Sequence, residues 1–231
     1  MKIIHENGTL LVVDKPPGIS VFPEGESQKA LSDIICEQFP SQISLGEERR
    51  YGIVHRLDKD TSGVLLVAKT PEAFEYLQSQ FQSRHVSKTY LCLLWGRLKH
   101  DEVVVHTLLG RSPGDRRKQR AYSIDDTGIG RREAKSLFRV LQRFQDYTLA
   151  EVFPETGRKH QIRAHAAHLG HPIAGDKLYR FKNQQDPEGL IRQFLHASSL
   201  QIQTPEGKKQ KFVAELPEDL ETIHKNLRPQ E

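Results

Sequence analysis

The order in which strand-like and helix-like stretches follow one another predicts an α+β fold. Two observations carry that prediction. Several short apolar runs succeed each other with only turn residues between them, as hairpin neighbours do. Helical patterns interrupt them without the regular strand-helix alternation of a doubly wound parallel sheet, and no internal repeat is present.

The elements follow in order. Residues 27–39 read as a helix with Leu31, Ile34, Ile35 and Phe39 on one face. From Gly63 the run Val64-Leu65-Leu66-Val67-Ala68 is continuously apolar after a Ser/Gly turn, the pattern of a strand buried on both faces. Thr70-Pro71-Glu72 is a helix start, and the helix runs through Phe74, Leu77 and Phe81 to end near Arg84. Strands are expected over 89–95, 134–140 and 147–153, the last with Tyr147, Leu149, Glu151 and Phe153 on one side. Residues 159–169 read as a helix closed by Gly170, with Pro172 beyond it.

At 231 residues with no compositional break, one domain in one or two lobes is expected, spanning 1–231. The N-terminus lacks the apolar core of a signal peptide, and no run approaches the ~18 apolar residues of a membrane span, so a cytoplasmic location is expected. A monomer is expected. Cys36 and Cys92 have no CxxC partner and read as reduced thiols. The net charge of +4 says little, but its distribution says more. Arg111, Arg116, Arg117, Lys118 and Arg120 cluster around the lone acid Asp115, and Arg131, Arg132 and Lys135 follow. Alone this is as well read as a solvated face as it is a phosphate-binding surface.

His55-Arg56-Leu57-Asp58, followed by Lys59-Asp60-Thr61-Ser62-Gly63, places a carboxylate on the loop that enters the apolar strand. Loops mounted on a rigid sheet are where reactive side chains are usually carried, and an ionised aspartate there can act as a nucleophile. Taken alone, the same residues are better read as an Asx turn with solvated neighbours.

The segment HRLDKDTSGVLLVAKT resembles the signature of the RluA-type pseudouridine synthases, which convert uridine in structured RNA to its C5-linked isomer. Other blocks resemble the family in order: Asp14-Lys15-Pro16-Pro17-Gly18, Ser87-Lys88-Thr89-Tyr90, the block from Glu155 to His165, His171-Pro172-Ile173-Ala174-Gly175-Asp176, and Leu195-His196-Ala197. Asp14 stands where asparagine is commoner in the family. The resemblance covers about Leu11 to about Pro217.

It implies a mixed, mostly antiparallel central sheet in two lobes, with flanking helices and an active cleft across the sheet. It further implies an RNA isomerase with no metal and no organic cofactor. Asp58 is then the catalytic residue, Arg163 its orienting ion-pair partner, and Tyr90 the residue stacked on uracil and candidate base. Arg56 is the candidate to fill the gap left by a flipped uridine, His55 and His160 are candidate RNA contacts, and Ile162 an apolar wall for the base. Arg116, Arg117 and Lys118 are assigned to RNA phosphates. Large-subunit ribosomal RNA is the expected substrate, because Gly110 to Arg120 resembles a stretch of those enzymes; transfer RNA is the alternative. The small N-terminal RNA-binding domain of many members is not expected here. A non-catalytic RNA-binding assembly factor would have no reason to keep Asp58, Tyr90 and Arg163 together. His160, His165, His168 and His171 lack the paired spacing of a zinc site, and no nucleophile elbow supports a hydrolase.

Overall fold

The computed structural model describes residues 1–23, 29–41, 45–46 and 49–228. Among them lie ten strands and four helices, and every pairing whose register is described is antiparallel. The chain divides into two compact units: Met1–Lys88 with Ala197–Glu215, and Thr89–His196 with Leu216–Glu231.

The first unit contains β1 (Lys2–Glu6), β2 (Leu10–Lys15), α1 (Leu31–Gln38), β3 (Ser62–Ala68), α2 (Pro71–Gln82), most of β9 (Leu195–Gln203) and β10 (Lys209–Val213). Its strands run in the order β1-β2-β3-β9, with β10 on β9. All seven residues of β3 are buried, as the continuous apolar run requires. Val64, Leu66 and Ala68 pack with Leu10 and Val12 of β2 and with Ala73 and Leu77 of α2. Helix α2 starts where the sequence places it, because Thr70 Oγ1 accepts the Ala73 N–H at 3.2 Å and Pro71 needs no donor partner in the first turn. Helix α1 begins at Leu31, later than the expected 27; residues 27 and 28 lie outside the described residues, and the Asp33 carboxylate accepts the Ala30 N–H at 2.9 Å.

The second unit contains β4 (Ser87–Trp95) from Thr89 onward, β5 (Glu102–Arg111), β6 (Gln119–Tyr122), β7 (Arg132–Arg143), β8 (Tyr147–Pro154), α3 (Gln161–His168) and α4 (Glu218–Asn226). Its strand order is β4-β8-β7-β5-β6. Leu93, Phe138, Val152, Ile173 and Phe194 form the centre of its core. On β8 the pattern differs from expectation: Thr148, Ala150 and Val152 are buried, while Tyr147, Glu151 and Phe153 are half-exposed and only Leu149 of the expected side is buried. Small residues at 148 and 150 let that face pack closely, so size outweighs hydropathy there. The acidic stretch after Pro217 opens α4, where carboxylates suit the positive end of the helix, and Asp219 grips the buried Arg192 at 2.6 Å. Among the described residues, no helix is long and apolar enough to cross a membrane.

Candidate active site

The Asp58 segment is built on the first unit. Along it Leu57 is buried, Arg56 and Lys59 are exposed, and Asp58 is half-buried. Asp58 opens a turn closed by its own carbonyl, which accepts the Thr61 N–H at 3.1 Å. The middle of that turn is fixed from outside. Lys59 O accepts both the Gly18 N–H at 3.0 Å and Lys15 Nζ at 2.9 Å. Lys15 is fully buried, and its ammonium also donates to Pro16 O at 2.7 Å and Ile19 O at 3.0 Å. A buried ammonium is tolerated only where such acceptors surround it. The Pro-Pro-Gly turn and the Asp58 turn are therefore fastened to one another. On the far side, Gly63 has φ +118°, and a Cβ there would lie 2.2 Å from Ala197 O, so only glycine lets the chain leave the turn into β3.

His55, a candidate RNA contact, is packed against α2 and β3. Its ring stacks on Phe81 of α2 at 4.8 Å, and Nε2 accepts the Leu66 N–H at 3.0 Å. Burial, aided by the nearby Lys88 ammonium, pushes its pKa down to about 3, so the imidazole is neutral and pins the segment to β3. Burial also lowers Lys88 to about 8.

Tyr90, Ile162, Arg163 and His160 belong to the second unit. Tyr90 is half-buried on β4, opposite Val152 of β8 and against the core. Ile162, expected to wall the base, is only 6% exposed and packs into that core.

Helix α3 owes its placement to the residues before it. Gln161 Nε2 donates to Lys135 O at 3.0 Å and Ser136 Oγ at 2.9 Å, and its Oε1 accepts from Thr156 Oγ1 at 2.7 Å and the Arg158 N–H at 3.0 Å. His160 is not helical: it is the N-cap, with φ 54° in the left-handed region, so α3 starts two residues later than expected. His165 lies buried between Ser136 Oγ at 3.0 Å and Thr107 Oγ1 at 3.1 Å. Its pKa falls to about 4, mainly through burial and also through His168 and His106. His168 is exposed, and His171 Nδ1 meets Trp95 O at 2.9 Å. Among the described residues no three or more His, Cys, Asp or Glu gather as a metal site.

Arg163 is held within its unit by Asp176, from the HPIAGD turn. Nε and Nη2 reach Asp176 Oδ2 and Oδ1 at 2.7 and 2.9 Å, and the side chains are 9% and 0% exposed. Oδ1 also accepts the Leu178 and Tyr179 N–H groups at 2.9 and 3.1 Å, so the carboxylate is fixed before it fixes Arg163. Asp176 and Lys15 were given no role from sequence, although both stand in motifs that mark the family resemblance.

Arg116, Arg117 and Lys118 sit on the loop joining β5 to β6, Arg111 and Arg120 on the strands flanking it, with Arg131 just before β7 and Arg132 and Lys135 at its start. Arg117 is tied bidentately to Asp115, at 3.0 and 2.8 Å, and these hydrogen bonds hold the Asp115 carboxyl down at about 2. Arg131 pairs with Asp126 and lies over the Tyr122 ring at 3.7 Å, and Lys135 pairs with Glu155 at 2.9 Å. Arg111, Arg116 and Arg132 have no ion-pair partner among the described residues. Part of the cluster is thus a folding device, and part remains open to an anion.

A family model described as RNA pseudouridylate synthase matches residues 9–168. The chain belongs to that family. It is 38% identical over 230 residues to an uncharacterised RNA pseudouridine synthase of Bacillus subtilis, covering 99% of this chain and 73% of that one. It is 38% identical over 236 residues to the ribosomal large subunit pseudouridine synthase D of Nitrosomonas europaea, covering 99% of this chain and 65% of that one. The chain thus spans about two thirds to three quarters of the length of these relatives. The structure of human RNA pseudouridylate synthase domain containing 1 superposes with a TM-score of 0.78 at 25% identity, covering 99% of this chain and 88% of that one. The mixed α+β fold expected from sequence is therefore the fold of this family's structures, and the chain is an RNA-modifying isomerase by family.

Proposed function

We propose that this chain isomerises uridine to pseudouridine in large-subunit ribosomal RNA, with both units serving one catalytic domain that acts as a cytoplasmic monomer. The observation that carries the reading is the Asp58 turn: a half-buried carboxylate on a backbone fastened by Lys15 and Gly18. A reacting group held this way meets its target without first being ordered.

The reaction breaks the bond from ribose C1' to uracil N1, turns the base and joins C1' to C5. The C5 proton leaves and N1 gains one, so no oxidant or reductant is consumed. Asp58 is the nucleophile, at C1' or at uracil C6, or the group that assists elimination to a glycal. Tyr90 stacks on the uracil and takes the C5 proton. Arg163, kept in one orientation by Asp176, orients the reactive carboxylate. Extruding the uridine costs a few kcal/mol, and exposed Arg56 fills the gap it leaves. Arg116, Arg117 and Lys118 of the β5–β6 loop, with His160 close to Gln119 through the Tyr179 hydroxyl, take phosphates.

The named large-subunit relatives and the Gly110 to Arg120 stretch support the choice of ribosomal RNA. The test is RNA labelled with tritium at uridine C5. Label appearing in water, together with pseudouridine lost from the large-subunit RNA of a deletion strain, is the expected result. Binding without release contradicts the activity, and loss confined to transfer RNA contradicts the substrate.

A further inference from the structure

Tyr179 lies beyond the residues matched by the family model and has no part in the reading above. Its side chain nevertheless touches three separate pieces of the second unit while remaining 7% exposed. The hydroxyl accepts the Gln119 N–H at 2.7 Å and lies 3.3 Å from His160 Nδ1. The ring lies beneath the Arg163 guanidinium, whose Cζ is 5.2 Å from its centroid. The backbone amide donates to Asp176 Oδ1, the same oxygen that binds Arg163 Nη2. Gln119 is the first residue of β6 and pairs with Arg111, so it closes the loop that carries Arg116, Arg117 and Lys118.

From this arrangement we infer that Tyr179 is a positioning residue coupling the basic β5–β6 loop to Arg163; the inference rests on the roles given above to that loop and to Arg163. A phosphate bound on the loop pulls on the strand end at Gln119. The Gln119 amide transmits that load to the Tyr179 hydroxyl, and the ring to which the hydroxyl belongs packs against Arg163. His160 faces the same hydroxyl from the other side, in a left-handed backbone conformation uncommon outside glycine, so the start of α3 is held by the same contact. RNA seated on the loop therefore firms up the guanidinium, and RNA that misses the loop does not.

A purely structural tyrosine would weaken the fold to the same degree whatever the loop's charge. A coupling residue acts only while the loop can bind phosphate. The experiment is a double-mutant cycle between Tyr179→Phe and the combined Arg116→Gln, Arg117→Gln, Lys118→Gln replacement, read as KM and kcat for tritium release and as the salt dependence of RNA binding. In the unmodified loop Tyr179→Phe raises KM about three- to tenfold, the size of one net hydrogen bond. It also lowers the log-log salt slope by roughly 0.7 to 0.9, one phosphate contact. In the neutralised loop it changes KM by less than about twofold. Tyr179→Leu, which removes the ring from beneath Arg163, lowers kcat as well. An unchanged KM and slope in Tyr179→Phe, or an equal effect in both backgrounds, overturns the inference. If the unmodified chain releases no tritium the activity reading fails, while the binding slope still decides whether Tyr179 serves the loop.

Discussion

The Asp58 turn and helix α3 solve the same problem with different chemistry. Each is pinned to its sheet by a neutral histidine: His55 accepts the Leu66 N–H, and the buried His165 bridges Ser136 and Thr107. They part at the charged anchor. Helix α3 carries a guanidinium matched to the Asp176 carboxylate in a bidentate pair, while the Asp58 turn is gripped by an ammonium on the carbonyls of Pro16, Ile19 and Lys59. Lys15 holds backbone carbonyls and so sets the path of two turns, while the Asp176 carboxylate, itself held by the Leu178 and Tyr179 N–H groups, sets the orientation of the Arg163 side chain. The difference teaches that Asp58 is positioned through its backbone and Arg163 through its side chain.

The largest effect on stability should come from Asp176→Asn. The amide keeps an acceptor for the Leu178 and Tyr179 N–H groups but removes the Asp176 countercharge from the buried Arg163 guanidinium, a loss of about 3 to 5 kcal/mol. Chemical denaturation measures it, and a loss below about 1 kcal/mol would mean that the guanidinium finds other compensation.

Lys15→Met should cost less, about 1 to 3 kcal/mol, because it leaves the carbonyls of Pro16, Ile19 and Lys59 without a donor. Its turnover should fall further than its stability explains, since the Asp58 turn loses its outer fastening. A stability loss equal to that of Asp176→Asn would erase the distinction between the two anchors.

The smallest effect is on pH dependence. Both histidines have folded pKa values below the usual 6.5, at about 3 for His55 and about 4 for His165. The unfolded chain therefore binds protons that the folded one refuses. Their contribution is fully present above pH ~6.5 and is lost as pH falls toward those values. Between about pH 6.5 and 5, above most carboxylate titration, stability should drop, and His55→Gln and His165→Gln should each flatten the slope. A profile unchanged in both variants would show that the histidines are not neutral pins.

Much of this was legible in sequence where a single physical rule governs. The continuous apolar run of β3, the Thr-Pro-Glu start of α2 and the placement of Asp58 on the loop before β3 follow from burial, capping and turn chemistry. Charged residues that turn inward were not legible: Lys15 and Asp176 look like surface residues until three-dimensional neighbours supply their partners. His55 and Ile162 show how a loop histidine and a residue beside Arg163 also serve packing, which their place in the chain does not reveal. Within the basic stretch, local pairing of Arg117 with Asp115 and Arg131 with Asp126 depends on loop geometry that spacing alone does not reveal.

The central claim is that the Asp58 carboxylate does the chemistry on a turn built to hold it. Asp58→Asn measures it most directly, because the amide keeps the shape and removes the charge. The account predicts unchanged unfolding and RNA affinity, with tritium release from C5-labelled uridine RNA falling to background in single-turnover reactions. Release at a measurable fraction of the unmodified rate, from protein purified free of other synthases, would contradict it.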